Sequence, residues 1–132
     1  MKSQAYDLDK MAIKRFGISG RELMGEAGRR IAHFINDNLS NVKSIAIVAG
    51  KGNNGGDGFA AALYLKKYNN NLTVFSIYDI DSFSKEALYF YTECTKNNIS
   101  IIFNSSPPSE YDIEGLVIDS ILGIGFKGEL NK

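Results

Sequence analysis

The chain has 132 residues, 44% of them hydrophobic, enough for one domain with its own core. Lys+Arg and Asp+Glu number 15 each, so the net charge is zero and no strong basic field marks a nucleic-acid binder. The single cysteine, Cys94, cannot form an internal disulfide, which suits a cytoplasmic setting, and neither a signal-like apolar segment nor an apolar run of about 18 residues points to a membrane.

In chain order, the pattern predicts a helix over residues 3–16, with Leu8, Met11, Ala12, Ile13 and Phe16 as its apolar residues and Gly17 ending it. Ser19-Gly20-Arg21-Glu22 matches a capping box, with Ser19 as N-cap and Glu22 reaching back to it. A second helix then runs to about residue 39, and Leu23, Ala27, Ile31, Phe34 and Ile35 form its apolar face. His33, beside that face, reads as a surface or packed side chain rather than a ligand. Residues 44–49 hold a short apolar run, Ile45-Ala46-Ile47-Val48, of the kind that makes a parallel strand buried on both faces. A glycine-rich stretch comes next, then a helix over 59–68 and a strand over 72–78. Residues 79–84 supply helix-start chemistry for a helix to about residue 97, on which Leu88, Tyr91 and Cys94 share a stripe, so Cys94 reads as core. Strands at 99–103 and 116–118 flank a loop carrying Pro107 and Pro108. Alternating strands and helices imply a parallel sheet in helix–sheet–helix layers.

Five glycines, Gly50, Gly52, Gly55, Gly56 and Gly58, fall within nine residues after the first strand. Glycine lets backbone approach a ligand closely, and the helix N-terminus behind the stretch adds partial positive charge. Asn53, Asn54 and Asp57 add side-chain oxygens. The stretch therefore reads as a phosphate-cradling loop that could also offer oxygen to a cation; a tight turn whose glycines serve geometry alone is the bland alternative. Gly50-Lys51-Gly52-Asn53-Asn54-Gly55 fits the G-x-G-x-x-G dinucleotide fingerprint, but the acidic residue expected about 20 residues on could only be Asp79 or Asp81, both late. No Lys-Ser/Thr pair comes after Gly55, which excludes a P-loop.

Asp119 comes directly after the apolar triplet Leu116-Val117-Ile118 and so belongs near the carboxyl end of a strand, where open α/β sheets bind ligands. It is either a functional carboxylate or a cap for the next helix. Gly123-x-Gly125-x-x-Gly128 then suggests a second glycine-lined loop. If the first and fourth strands are neighbours, Asp119 faces the first glycine loop, and Asn54 and Asp119 could share one cation.

Gly50-Lys51-Gly52-Asn53-Asn54-Gly55-Gly56-Asp57-Gly58 resembles the signature of the YjeF N-terminal domain family, the NAD(P)H-hydrate epimerases. Glu22-Leu23-Met24-Gly25-Glu26-Ala27-Gly28 resembles that family's early helix, Asp9 with Met11-Ala12 its first helix, and Val117-Ile118-Asp119-Ser120-Ile121-Leu122-Gly123-Ile124-Gly125-Phe126-Lys127-Gly128-Glu129 its second conserved segment. The resemblance implies a Rossmann-like three-layer α/β/α sandwich with a mostly parallel sheet. It implies an enzyme that interconverts the R and S forms of hydrated NADH and NADPH, so that a stereospecific ADP- or ATP-dependent dehydratase, in some chains fused, can repair both. It implies potassium held by Asn54 and Asp119. It implies substrate contacts from Asn53, Asn54, Gly55, Gly56 and Asp57 and from Gly123, Ile124, Gly125, Phe126, Lys127, Gly128 and Glu129. A cytoplasmic homodimer belongs to the same expectation. Ile124 stands where the family usually has Thr, which removes one hydroxyl contact. The family pattern continues past Lys132, so residues 1–132 are expected to be one incomplete domain of that type.

Epimerisation at C6 of the hydrate needs a proton for the departing hydroxyl and a base for the incoming water. Asp119 is the candidate for that catalytic role. Two alternatives stand beside it. One is a non-catalytic nucleotide- or RNA-associated scaffold of the same fold, against which zero net charge and the intact glycine signature argue. The other is an ordinary NAD-dependent dehydrogenase, which would want a better-placed acidic residue.

Overall fold

A computed structural model describes residues 19–69, 71–103, 115–120 and 125–128. Helix α1 spans Gly20–Asn38, strand β1 Ile45–Ala49, helix α2 Gly52–Leu65 and strand β2 Leu72–Ser76. A 3-10 turn at Ile80–Ser82 leads to helix α3, Lys85–Lys96, and strand β3, Ser100–Phe103. Strands β4, Leu116–Ser120, and β5, Gly125–Gly128, complete the order. The expected helix over 3–16 and the loop at 105–109 lie outside the described residues.

The sheet runs β3-β2-β1-β4-β5. The first four strands are parallel and β5 is antiparallel to β4. β1 is central, and all five of its residues are buried, as its unbroken apolar run requires of a parallel strand covered on both faces. The chain walks outward from β1 through β2 to β3, then returns to place β4 on the other side of β1. That reversal makes the carboxyl ends of β1 and β4 the topological switch point of the sheet.

Helices α1, α2 and α3 form one layer. The main core unites Met24, Ala32 and Ile35 of α1, Phe59 to Ala62 and Leu65 of α2, and Phe90 and Cys94 of α3 with Ile45, Ile47, Val74 and Ile118 of the sheet. Alternate strand residues point the other way: Ala46, Val48 and Val117 are buried in a second cluster with Phe75 and Ile77 beside it. Both faces of the sheet are therefore covered, the mark of the three-layer class. Among the described residues no helix is long and apolar enough to cross a membrane.

Ser19 is the N-cap, as expected: the Glu22 backbone N–H donates to the Ser19 hydroxyl at 3.0 Å, and that hydroxyl donates to the Glu22 carboxylate at 3.2 Å. The buried face of α1 is displaced from the expected one. It consists of Met24, Gly25, Gly28, Ala32 and Ile35, while Phe34 is 47% exposed. The reason is the approach of α2: a Cβ added at Gly28 would lie 2.5 Å from the carbonyl carbon of Ala60 and 2.6 Å from the nitrogen of Ala61. Two helices meet here backbone to backbone, so small residues define the contact and larger apolar ones flank it. His33 is exposed and lies 4.0 Å from Asp37, a surface pair. Arg29, first by hydrogen bond and then by charge, holds the exposed Glu26 carboxyl down at about 2 with help from Arg30.

On α3 the buried stripe is Ala87, Phe90 and Cys94, with Leu88 exposed instead of buried. Cys94 is core, as expected. Its thiol donates to the carbonyl of Phe59 at 3.2 Å, and burial, with the Glu93 charge second, pushes its pKa up to about 12. Thiol reagents act on the thiolate. A disulfide reagent at pH 8 is therefore expected to leave Cys94 untouched in the native protein and to react fully in denaturant; fast native labelling would remove Cys94 from the core.

Candidate functional site at the switch point

The first turn of α2 departs from expectation. The glycine stretch is not a loop running to Phe59; the helix begins at Gly52, with Lys51 as N-cap, and Asn53, Asn54, Gly55, Gly56 and Asp57 form its opening turns. Only Gly50 and Lys51 separate it from β1. Packing overrides the poor helix propensity of glycine here. A Cβ at Gly55 would run into the carbonyl oxygen of Gly50, and one at Gly56 would lie 2.5 Å from Cε of Met24 and 3.1 Å from Cα of Ala87. Gly52 is the glycine whose backbone needs it, at φ +62° with open space around it. The geometric reading of the glycines thus holds for Gly55 and Gly56, which let α2 start directly against β1, α1 and α3.

Capping sets α2 apart from its neighbours. Ser19 and Ser84 each accept a backbone N–H at the starts of α1 and α3, whereas the Lys51 side chain makes no such bond. The opening amides of a helix lack intrahelical partners and carry the positive end of its dipole. At α2 they emerge at the switch point. The Lys51 ammonium sits 5.7 Å from the centre of the Tyr78 ring, within cation–π range. Ser76, fully buried at the end of β2, donates to the Tyr78 carbonyl at 2.7 Å and shapes the turn beneath. Sequence pattern does not single out Ser76 or Tyr78; the signal for them is the change from apolar strand to Ser-Ile-Tyr-Asp.

β1 and β4 are neighbours. Val48 is the register partner of Asp119 and Ala49 of Ser120. On the other side of β4, Asp119 pairs with Gly125. Asp119 is half-buried. The pleat refines its direction, because successive strand residues alternate faces. Ile118 belongs to the α2 side and Val117 to the other, so Asp119 falls with Val117 and Val48 on the face away from α2. The carboxylate and the first turn of α2 meet across the carboxyl edge of the sheet and do not look straight at one another. Of the second expected loop, Gly125, Phe126, Lys127 and Gly128 are strand β5, laddered against Asp119 to Leu116; Gly123, Ile124 and Glu129 lie outside the described residues. Among the described residues no group of three or more His, Cys, Asp or Glu could hold a metal ion.

The comparisons with known proteins decide the family. Residues 20–132 match the family described as YjeF-related protein N-terminus. The chain belongs to that family. Among curated relatives of the YjeF-type chain, the bifunctional NAD(P)H-hydrate repair enzyme Nnr of Thermanaerovibrio acidaminovorans is 36% identical over 96% of this chain and 26% of its own. The NAD(P)H-hydrate epimerases of Elusimicrobium minutum and Pirellula staleyi are 32% and 31% identical, over 96% and 92% of this chain and 61% and 56% of theirs. The chain therefore spans somewhat over half the length of these epimerases. The crystal structure of yeast ynu0 (YNL200c) shares the fold, with a TM-score of 0.79 at 24% identity over 96% of this chain and 57% of that one.

Proposed function

We propose that this YjeF-type chain carries the epimerase site that interconverts the R and S forms of hydrated NADH and NADPH. One observation supports it above the rest: the parallel pairing of β1 with β4 brings Asp119 and the first turn of α2, which the Lys51 side chain does not cap, to the same carboxyl edge, at the switch point. Relatives that match nearly all of this chain are named for that reaction. The amides at the start of α2 and Lys51 would bind the pyrophosphate. Asn53 to Asp57 and the segment Gly123 to Glu129 would hold the substrate between them.

At C6 of the hydrate, the hydroxyl leaves with a proton as water and the ring nitrogen lone pair forms a C=N bond. Water then adds to the opposite face and gives up a proton. Asp119 would pass that proton in both directions. Potassium suits the donors available, since hard cations take oxygen ligands: the Asp119 carboxylate stands at the edge of the sheet, and Asn54, with its amide oxygen, lies in the first turn of α2. When bound there it would supply positive charge beside the phosphates. A bifunctional relative supports functional coupling to an ADP- or ATP-dependent dehydratase.

The assay mixes the protein with a dehydratase specific for one epimer, its nucleotide, and a mixture of R and S NADPH hydrate, and follows recovered NADPH by absorbance. Conversion of the whole mixture is expected, faster with potassium than with sodium. Recovery that stalls at the fraction handled by the dehydratase alone would overturn the assignment.

A further inference from the structure

We propose that Tyr78 is a positioning residue for the substrate: its ring holds the Lys51 ammonium beside the start of α2, where the pyrophosphate binds. The role rests on the epimerase reading of the switch point and adds to it the group that keeps Lys51 in place.

Lys51 is the only Lys or Arg between Lys43 and Lys66. At the start of α2 it supplies the one full positive charge of this stretch of chain, beside the partial charge of the helix dipole. A lysine ammonium rides on a flexible four-carbon stem. Lys51 is exposed, and an exposed arm gives up its rotamer freedom when it binds an anion, at a cost in affinity. A partner that orders the arm in the free protein removes part of that cost. The Tyr78 ring is such a partner, with its centre 5.7 Å from the ammonium nitrogen. A ring face attracts the cation without cancelling it, whereas a carboxylate would neutralise the charge that phosphates need.

Tyr78 is itself held on both sides. Just before it, the Ile77 backbone N–H donates to the Ala49 carbonyl at 3.2 Å, which ties the turn after β2 to the end of β1. The fully buried Ser76 hydroxyl donates to the Tyr78 carbonyl at 2.7 Å. Just after it, the Asp79 carbonyl accepts from the Ser82 N–H at 3.0 Å and from the Ser82 hydroxyl at 2.7 Å. Two main-chain segments remote in sequence thus meet at Ala49: the turn that carries Tyr78, and Gly50-Lys51 leading into α2. The strand order places Tyr78 on the β2 flank of that start and Asp119 on the β4 flank. The cation and the carboxylate therefore approach the ligand from opposite sides.

Titration with NADPH, which carries the same pyrophosphate, tests this without any epimerase turnover. At low salt Lys51→Met is expected to weaken NADPH binding at least about tenfold, the worth of a hydrogen bond to charge. Tyr78→Leu is expected to weaken it about two- to fivefold, the worth of an exposed cation–π contact, and Tyr78→Phe, which keeps the ring, to match the wild type. In the Lys51→Met background Tyr78→Leu is expected to cost nothing further, a coupling that a merely structural role would not produce. NMR of the unsubstituted protein gives a second readout: the ε-CH2 protons of Lys51 are expected upfield of those of lysines without a ring partner. Unshifted Lys51 protons, wild-type binding by Tyr78→Leu, a Tyr78→Phe protein as weak as Tyr78→Leu, or the same Tyr78→Leu loss with and without Lys51 would each overturn the positioning role. Undiminished binding by Lys51→Met would take Lys51 out of the pyrophosphate site and the role of Tyr78 with it. The expected coupling in a protein that fails to epimerise would leave the Tyr78–Lys51 pair standing and remove the reaction assigned to the site.

Discussion

Asp119→Asn is expected to lower epimerisation by about 10²–10⁴-fold, the usual worth of one acid–base group, with little change in stability. The amide has the shape of the carboxylate but neither its charge nor its capacity to act as a base. The main-chain pairing of residue 119 with Val48 and Gly125 is indifferent to the substitution, so the sheet should persist. Removing the charge should also push potassium activation to higher concentration, because the cation would lose its only anionic partner in the proposed pair. Rate and potassium dependence are measured together in the coupled assay, with urea unfolding as the control on the fold. An Asp119→Asn protein of full activity would sink the acid–base role. One that merely demands more potassium would place Asp119 in the cation site alone.

The elements easiest to read are those fixed by local chemistry. Ile45 to Val48 announce a buried parallel strand because the centre of a three-layer sheet leaves no polar face. Ser19 and Glu22 announce a helix start because the N-cap and the residue it bonds are three positions apart in sequence. Helix faces are harder to read. Apolar periodicity selects Leu23, Ala27, Ile31, Phe34 and Ile35, but of these only Ile35 is fully buried; the buried face runs through Met24, Gly25, Gly28 and Ala32, and a glycine that permits contact registers no hydrophobicity. The opening of α2 is hidden for a related reason. Gly55 and Gly56 look like loop residues by propensity, yet they are the residues that Gly50, Met24 and Ala87 leave room for.

The site is legible in its parts and not in its arrangement. An acid after Leu116-Val117-Ile118 marks the carboxyl end of a strand from sequence alone. Which face it takes depends on pleat parity relative to β1, and that is fixed by nonlocal pairing. The same holds for residues 125–128, whose glycines suggest a loop but which the antiparallel ladder with β4 claims as strand.

Gly28→Ala is expected to destabilise the protein more than any exposed substitution, although alanine is the better helix former by about 1 kcal/mol. The new methyl would stand 2.5–2.6 Å from the main chain at Ala60 and Ala61. Neither partner is a side chain that can rotate away, so α1 and α2 must separate, and α2 also carries the start of the site. Overpacking costs about 1–3 kcal/mol and occasionally more; against main chain that cannot rotate away the upper figure of about 3 kcal/mol applies, and net of the propensity gain a loss of about 2 kcal/mol is expected, or about 6–10 °C in Tm for a domain of this size. Gly25→Ala is the matched control. It lies one turn earlier on the same face, and its Cβ would meet chiefly the Phe90 ring, at 3.2 Å from Cζ. That ring edge can yield a few tenths of an ångström, so the change should fall within about 1 kcal/mol of neutral. Thermal and urea unfolding of the two variants side by side would decide it. Equal stability for both would mean that the helices do not touch backbone to backbone at Gly28, and α2 would then lose the contact that fixes its start at the switch point.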